Sequence, residues 1–80
     1  MKVEVKLYAS LGKYMPQPGF ERGQGHLELA EGTTIKALLE NLEVPFDTVK
    51  LIFVNGVHAK GDEVLKDGDR LGVFPAVAGG

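Results

Sequence analysis

The 80-residue sequence has no cysteine and no tryptophan. Without thiols there is no disulfide framework, no cysteine nucleophile and no iron–sulfur cluster, and a reducing compartment is permitted. The only histidines are His26 and His58; a zinc site needs further ligands at suitable spacing, so both read as surface histidines and no metal is expected. The nine Lys and Arg residues are scattered, the formal net charge is −2, and no basic stripe with interleaved aromatics forms, which argues against nucleic acid as a partner. The longest purely apolar run, Leu51-Ile52-Phe53-Val54, is far too short to span a membrane. Glu4 and Lys6 interrupt any signal-peptide core behind Lys2. A cytoplasmic location is the expectation.

What remains is ordinary soluble composition, 25% charged and 44% hydrophobic, sized for one domain. A chain this short buries only a little over ~60% of its unfolded surface, so its core must be economical and a deep private active site has little room. Catalytic patterns are wanting. Ser10 has no nearby base to activate it, and Gly68-Asp69-Arg70-Leu71-Gly72 lacks the Gly-Lys-Ser/Thr end of a phosphate loop. Asp62-Glu63 and Asp67-Gly68-Asp69 lack the twelve-residue calcium pattern; turn chemistry accounts for the latter. Binding or carrying is favoured over catalysis.

Lys2 to Tyr8 alternates polar and apolar, the signature of a strand with Val3, Val5 and Leu7 turned to a core. Ala9 to Gly25 carries Gly12, Pro16, Pro18, Gly19 and Gly23 and reads as a long surface connection, with a short turn around Ser10–Tyr14 and a mobile Met15–Gly25 loop. His26 to Ala30 alternates again, with Leu27 and Leu29 inward, completing an antiparallel hairpin. Thr34 is the best N-cap in the chain. Behind it Ile35, Leu38, Leu39 and Leu42 form one apolar stripe on a helix of about ten residues, stopped by Val44-Pro45. Lys50–Val54 reads as a strand with apolar contacts on both faces, and Asn55-Gly56 as a tight hairpin turn whose residues must accept positive φ. Val57–Ala59 is a short return strand, and Arg70–Phe74 a last strand with Leu71 and Val73 on one face. If that strand lies beside the first, the two are parallel. The expected fold is α+β: a mixed sheet of four to five strands wrapped on one main helix, occupying residues 1–75, with 76–80 a flexible arm.

The strand alternation predicts that Tyr8, Ile52, Val54 and Phe74 share the sheet face opposite the helix. Flanked by Arg70 and Lys50, they would make a partner-binding patch with Phe74 its main anchor. Phe74 adjoins Pro75-Ala76-Val77-Ala78-Gly79-Gly80, the arm. A glycine pair threads a channel too narrow for other residues, and the α-carboxylate closing it is ionised at neutral pH, its reference pKa being about 3.3–3.7.

The element order resembles the ubiquitin-like β-grasp fold. More specifically, Val54-Asn55-Gly56, Leu65-Lys66-Asp67-Gly68-Asp69 and Val73-Phe74-Pro75-Ala76-Val77-Ala78-Gly79-Gly80, in that order, resemble the MoaD/ThiS sulfur-carrier family, most of all the small subunit of molybdopterin synthase. Ala76 stands where many molybdopterin-type members have a second proline. The resemblance implies that the Gly80 carboxylate is adenylated with ATP by an E1-like enzyme and converted to a thiocarboxylate. That group then serves as sulfur donor in molybdopterin or tungstopterin synthesis, inside the synthase large subunit. It implies no cofactor bound by the chain itself and no catalytic residue of its own. Thiamine-type sulfur delivery, another acceptor enzyme, and conjugation through Gly80 as a ubiquitin-like modifier are the alternatives.

Overall fold

Alternation in the first residues produces β1, Lys2–Leu7, whose Val3, Val5 and Leu7 are buried. The computed structural model describes residues 1–20 and 22–76. β2, Gln24–Glu28, runs antiparallel to β1 with Lys2 opposite Glu28 and Lys6 opposite Gln24. It starts two residues before the alternation does, because Gly25 lets the Phe20 ring lie against the strand; a β-carbon there would collide with that ring.

The connection between these strands differs from the expected mobile surface loop. Ala9–Tyr14 winds into a 3₁₀ turn, and Leu11 and Met15 are each only 2% exposed, as much a part of the core as the strands. Leu11 within the turn and Met15 just past its end anchor the loop by burial.

α1 spans Ile35–Asn41. Thr34 caps it as the sequence predicts, its hydroxyl accepting the Ala37 N–H at 3.1 Å. Two further first-turn donors are taken up by a loop closing over the helix: Ile35 N–H donates to Glu63 O and Lys36 N–H to Gly61 O, satisfying groups a helix start leaves unpaired. The Glu63 carboxylate in turn accepts the backbone N–H groups of Lys60 and Gly61 at 2.7–3.1 Å.

The helix ends sooner than expected. Glu43 adopts φ of +63°, its N–H donates to Glu40 O and the Val44 N–H to Leu39 O. This is the paired closure in which a left-handed residue satisfies the final carbonyls. The stop therefore precedes Val44-Pro45.

β3 (Val49–Val54) and β4 (Val57–Ala59) form a hairpin on Asn55 and Gly56, at φ of +53° and +82°. β5, Arg70–Pro75, lies between β1 and β3, parallel to the first and antiparallel to the second. The sheet order is β2-β1-β5-β3-β4, the expected mixed sheet with one main helix. Core side chains from β1, β3, β5, α1 and the 3₁₀ turn occupy a single side of it. Asp67 and Asp69 serve turn chemistry: Asp67 accepts the Lys2 N–H at 2.7 Å, and Asp69 accepts the Lys66 N–H at 2.8 Å and an Asn55 side-chain N–H at 2.9 Å.

Candidate functional site on the open sheet face

The sheet face turned away from α1 carries the outward set of each strand. From β1 come Glu4, Lys6 and, just past its end, Tyr8; from β5 come Arg70, Gly72 and Phe74. The registers set Gly72 beside Lys6 on one side and Phe53 on the other, with His58 opposite Phe53 and Leu51 opposite Phe74.

An aromatic cluster forms at one end of this face. Tyr8 and Phe74 stack with ring centroids 4.0 Å apart and planes within 10°. Phe53 meets Phe74 edge-on at 5.9 Å, and His58 meets Phe53 at 5.7 Å. The Lys6 ammonium lies 4.7 Å from the Tyr8 ring centroid, a distance at which the ring face attracts a cation. Gly72 lies beneath the stack: a β-carbon there would stand at van der Waals contact, 3.4 Å from Tyr8 Cε2. Its missing side chain also leaves a hollow of about 470 Å³ bordered by Tyr8, Phe53, Phe74, Lys6, Glu4 and Arg70.

The other end of the face is charged. Glu4 lies 3.6 Å from His26 Nε2 and 3.9 Å from Arg70 Nε. The Arg70 side chain is 74% exposed, so this pairing adds little stability and leaves the guanidinium open to a partner.

Tyr8, Phe74 and Arg70 thus stand together where the alternation predicts. Ile52 and Val54 do not. Ile52 pairs with Val73 and is 3% exposed, and Val54 pairs with Leu71 and packs against the core. The residues of β3 on the open face are Leu51, which is 40% exposed, and Phe53. Four consecutive apolar residues do not reveal which pair faces inward, and an irregularity between Val49 and Leu51 breaks the count from the strand's start.

One sequence signal carries the answer. A two-residue turn at Asn55-Gly56 fixes Phe53 opposite polar His58 and Ile52 opposite small Ala59, which assigns Phe53 outward.

Phe74 leads directly into the tail. Pro75 closes β5, opposite Val49, at a strand end where proline's lack of an N–H does little harm. The Ala76 N–H still donates to Thr48 O at 2.8 Å, so the first two positions assigned to the arm are held against the body. Val77, Ala78, Gly79 and Gly80 lie outside the described residues. Among the described residues no group of three or more His, Cys, Asp or Glu is placed to hold a metal ion, and no helix is long and apolar enough to cross a membrane.

A five-stranded mixed sheet with one main helix on one face and an aromatic patch on the open other face is a ubiquitin-like β-grasp architecture. The chain belongs to the ThiS family, whose pattern matches residues 11–80, a family of small carrier and subunit proteins. Among solved structures it is similar to a Pyrococcus furiosus protein provisionally named molybdopterin converting factor, subunit 1. Identity is 31% over 95% of this chain and 98% of that one, with a TM-score of 0.69. Small archaeal modifier protein 1 of Haloferax volcanii shares the fold at 21% identity, covering 95% of this chain and 98% of that one, with a TM-score of 0.70. A third similar chain comes from the complex of subunits 1 and 2 of the molybdopterin-converting factor of Helicobacter pylori. It is 21% identical, both chains are fully covered, and the TM-score is 0.62. No curated protein matches the sequence.

Proposed function

We propose that this chain is a sulfur carrier whose Gly80 carboxylate is the reacting group, and that molybdopterin or tungstopterin synthesis is the route it feeds. A carboxylate is a poor electrophile because its oxygen is a poor leaving group. Attack by that oxygen on the α-phosphorus of ATP expels pyrophosphate and leaves an acyl-adenylate. A sulfur nucleophile then displaces AMP and the terminus becomes a thiocarboxylate. In this reading the chain supplies the thin tail and the docking face, while an E1-like adenylating enzyme supplies the catalytic groups. Both the activating and the accepting sites must exclude water from the activated acyl group, and a diglycine tip permits a narrow, closed channel.

The observation that carries this reading is the family match over residues 11–80, which runs through the diglycine. The Tyr8–Phe74 stack supports it by placing an aromatic anchor immediately before the tail, in the manner of interface hot spots. The molybdopterin route is preferred because the similar Pyrococcus furiosus protein, at 31% identity, carries that subunit's name. The Helicobacter pylori complex pairs such a subunit with subunit 2, so a molybdopterin synthase large subunit is the proposed acceptor. Thiamine-type delivery and conjugation to protein lysines are the alternative uses of the same activated terminus.

Mass spectrometry of the protein isolated from its cells tests the proposal. Replacement of one oxygen by sulfur at Gly80 is the expected result. Branched Gly-Gly-lysine peptides without a thiocarboxylate would establish the modifier instead, and full pathway activity after removal of Gly80 would end both readings.

A further inference from the structure

A second hollow, of about 500 Å³, lies at the corner where β1 runs into the 3₁₀ turn and β2 begins. Its walls come from three separate stretches of chain, and each contributes a cation: Lys6 from β1, Lys13 from the turn, and Arg22 from the lead-in to β2. No acidic residue borders it among the described residues, although the chain as a whole has a net charge of −2.

The acids near other cations are engaged elsewhere. Glu4, two residues before Lys6 on the same face, lies near His26 and Arg70. Among the described residues no ion pair involves Lys6, Lys13 or Arg22. Lys6 and Lys13 instead lie over the Tyr8 and Tyr14 rings, at 4.7 and 5.4 Å, contacts that leave ammonium N–H groups available to an acceptor.

The corner is a built feature, since two glycines let the three stretches approach. A β-carbon on Gly23, which has φ of +74°, would stand 2.6 Å from Leu7 O, and one on Gly12 would stand 3.3 Å from Gly23 Cα. The Leu7 N–H donates to Gly23 O at 2.7 Å across the same junction. Any side chain at Gly23 would push the strands apart and spread the cations.

This hollow shares Tyr8 and Lys6 with the hollow over Gly72, so it continues the aromatic face instead of forming a separate surface. We infer that it seats an acidic segment, two or more carboxylates, of the protein that docks on the Tyr8–Phe74 patch. The inference rests on reading that face as a docking surface. Charge at the margin of an apolar patch sets orientation and encounter rate more than final affinity, which suits a carrier that must be taken up and released by successive partners. Long cations on an open wall, Lys13 and Arg22 exposed and Lys6 half-buried, suit side-chain carboxylates better than one tightly enclosed anion.

The test is a titration of the ¹⁵N-labelled full chain with hexaglutamate peptide, followed by amide chemical shifts. The amides of Lys6, Gly12, Lys13 and Gly23 are expected to move together and saturate, less so as salt is raised. In Lys13→Glu/Arg22→Glu the dissociation constant should weaken about tenfold, the effect of two exposed ion pairs lost and reversed. Lys60→Glu/Lys66→Glu, which changes net charge equally, should leave it nearly unchanged. The spectra themselves report whether each variant is folded.

Shifts scattered over the whole surface, or equal weakening by both double variants, would overturn the inference. Displacement of the peptide by an equal concentration of inorganic pyrophosphate would overturn it too, making the corner a small-anion site. None of these outcomes touches the sulfur-carrier reading, which the mass of the Gly80 terminus decides alone.

Discussion

The two faces of the central sheet are written by the same alternation and behave differently. Val3, Val5 and Leu7 of β1, with Leu71 and Val73 of β5, turn inward and are closed over by Leu38 and Leu39 of α1, by Leu11 of the 3₁₀ turn and by Met15 just past it. Outward from the same strands stand Tyr8, Phe74, Lys6, Glu4 and Arg70, with a glycine between them. The inner face is filled and featureless in its chemistry. The outer one keeps an aromatic stack, a hollow and uncommitted charge. One face spends its side chains on holding the fold, and the other is free to meet partners.

Substitutions that treat the faces differently sharpen or break this contrast. Leu39→Ala, at a fully buried helix position, should cost about 2–5 kcal/mol, read as a lowered denaturant midpoint with little change in slope. Phe74→Ala, at a half-buried position of the open face, should cost less, about 1–2 kcal/mol for the ring contacts and partial burial lost. It should nevertheless weaken binding to an activating or acceptor enzyme by on the order of 30-fold, as a hot spot worth about 2 kcal/mol does. Calorimetric titration checks the second value; a Phe74→Ala protein as unstable as Leu39→Ala, with unaltered affinity, would erase the distinction.

Gly72→Ala makes the subtler cut. Replacing a strand glycine should leave stability unchanged or raise it by about 0.5–1 kcal/mol. The added carbon, at van der Waals contact 3.4 Å from Tyr8 Cε2, should fill part of the hollow that Gly72 lines and weaken binding a few-fold. Opposite signs for stability and affinity in one variant would be hard to reconcile with a face that serves only packing.

The smallest effect concerns acid. The backbone N–H bonds from Lys60 first, then from Gly61 and Glu63 itself, hold the Glu63 carboxyl below the usual carboxylate range. Its folded-state pKa is therefore below its unfolded one, so the stabilisation is present above the unfolded value, about pH 4.3, and fades as pH falls through the folded one. Denaturant midpoints of the wild type and Glu63→Gln should differ at neutral pH and converge in acid. The loop concerned closes over the start of α1 and leaves the open face alone, so Tyr8 and Phe74 resonances should be indifferent to the substitution.

Much of this was legible in the sequence because the physics there is local. The alternation of Lys2–Tyr8, the Thr34 cap, the stripe of Ile35, Leu38 and Leu39, and the Asn55-Gly56 turn each depend on neighbours within a few residues. Tyr8 and Phe74 could be placed on one face by counting along single strands. The failures are non-local. Leu11 and Met15 sit in a segment rich in proline and glycine, and only the approach of β1 and β5 gives them a core to enter. The sequence predicts Ile52 and Val54 outward because β3 is apolar on both sides. Its orientation is set by pairing with β5, whose register shifts between Val49 and Leu51. The early end of α1 comes from Glu43 accepting a left-handed backbone, which few non-glycine residues do. Gly72 carries no signal as a glycine in a strand; its meaning depends on the Tyr8 ring, brought beside it from the end of β1.

The central position of β5 has a mechanical meaning. Hydrogen bonds tie it on one side to β1 and on the other to β3, and both ladders run along the direction of the chain as it leaves toward the tail. Tension applied beyond Ala76 therefore loads both ladders lengthwise, so that many bonds share the force at once, where an edge strand would unzip one bond at a time. Under the proposed function, in which the tail is gripped and drawn into another protein's cavity, such an anchorage serves better than any strength added to the tail itself.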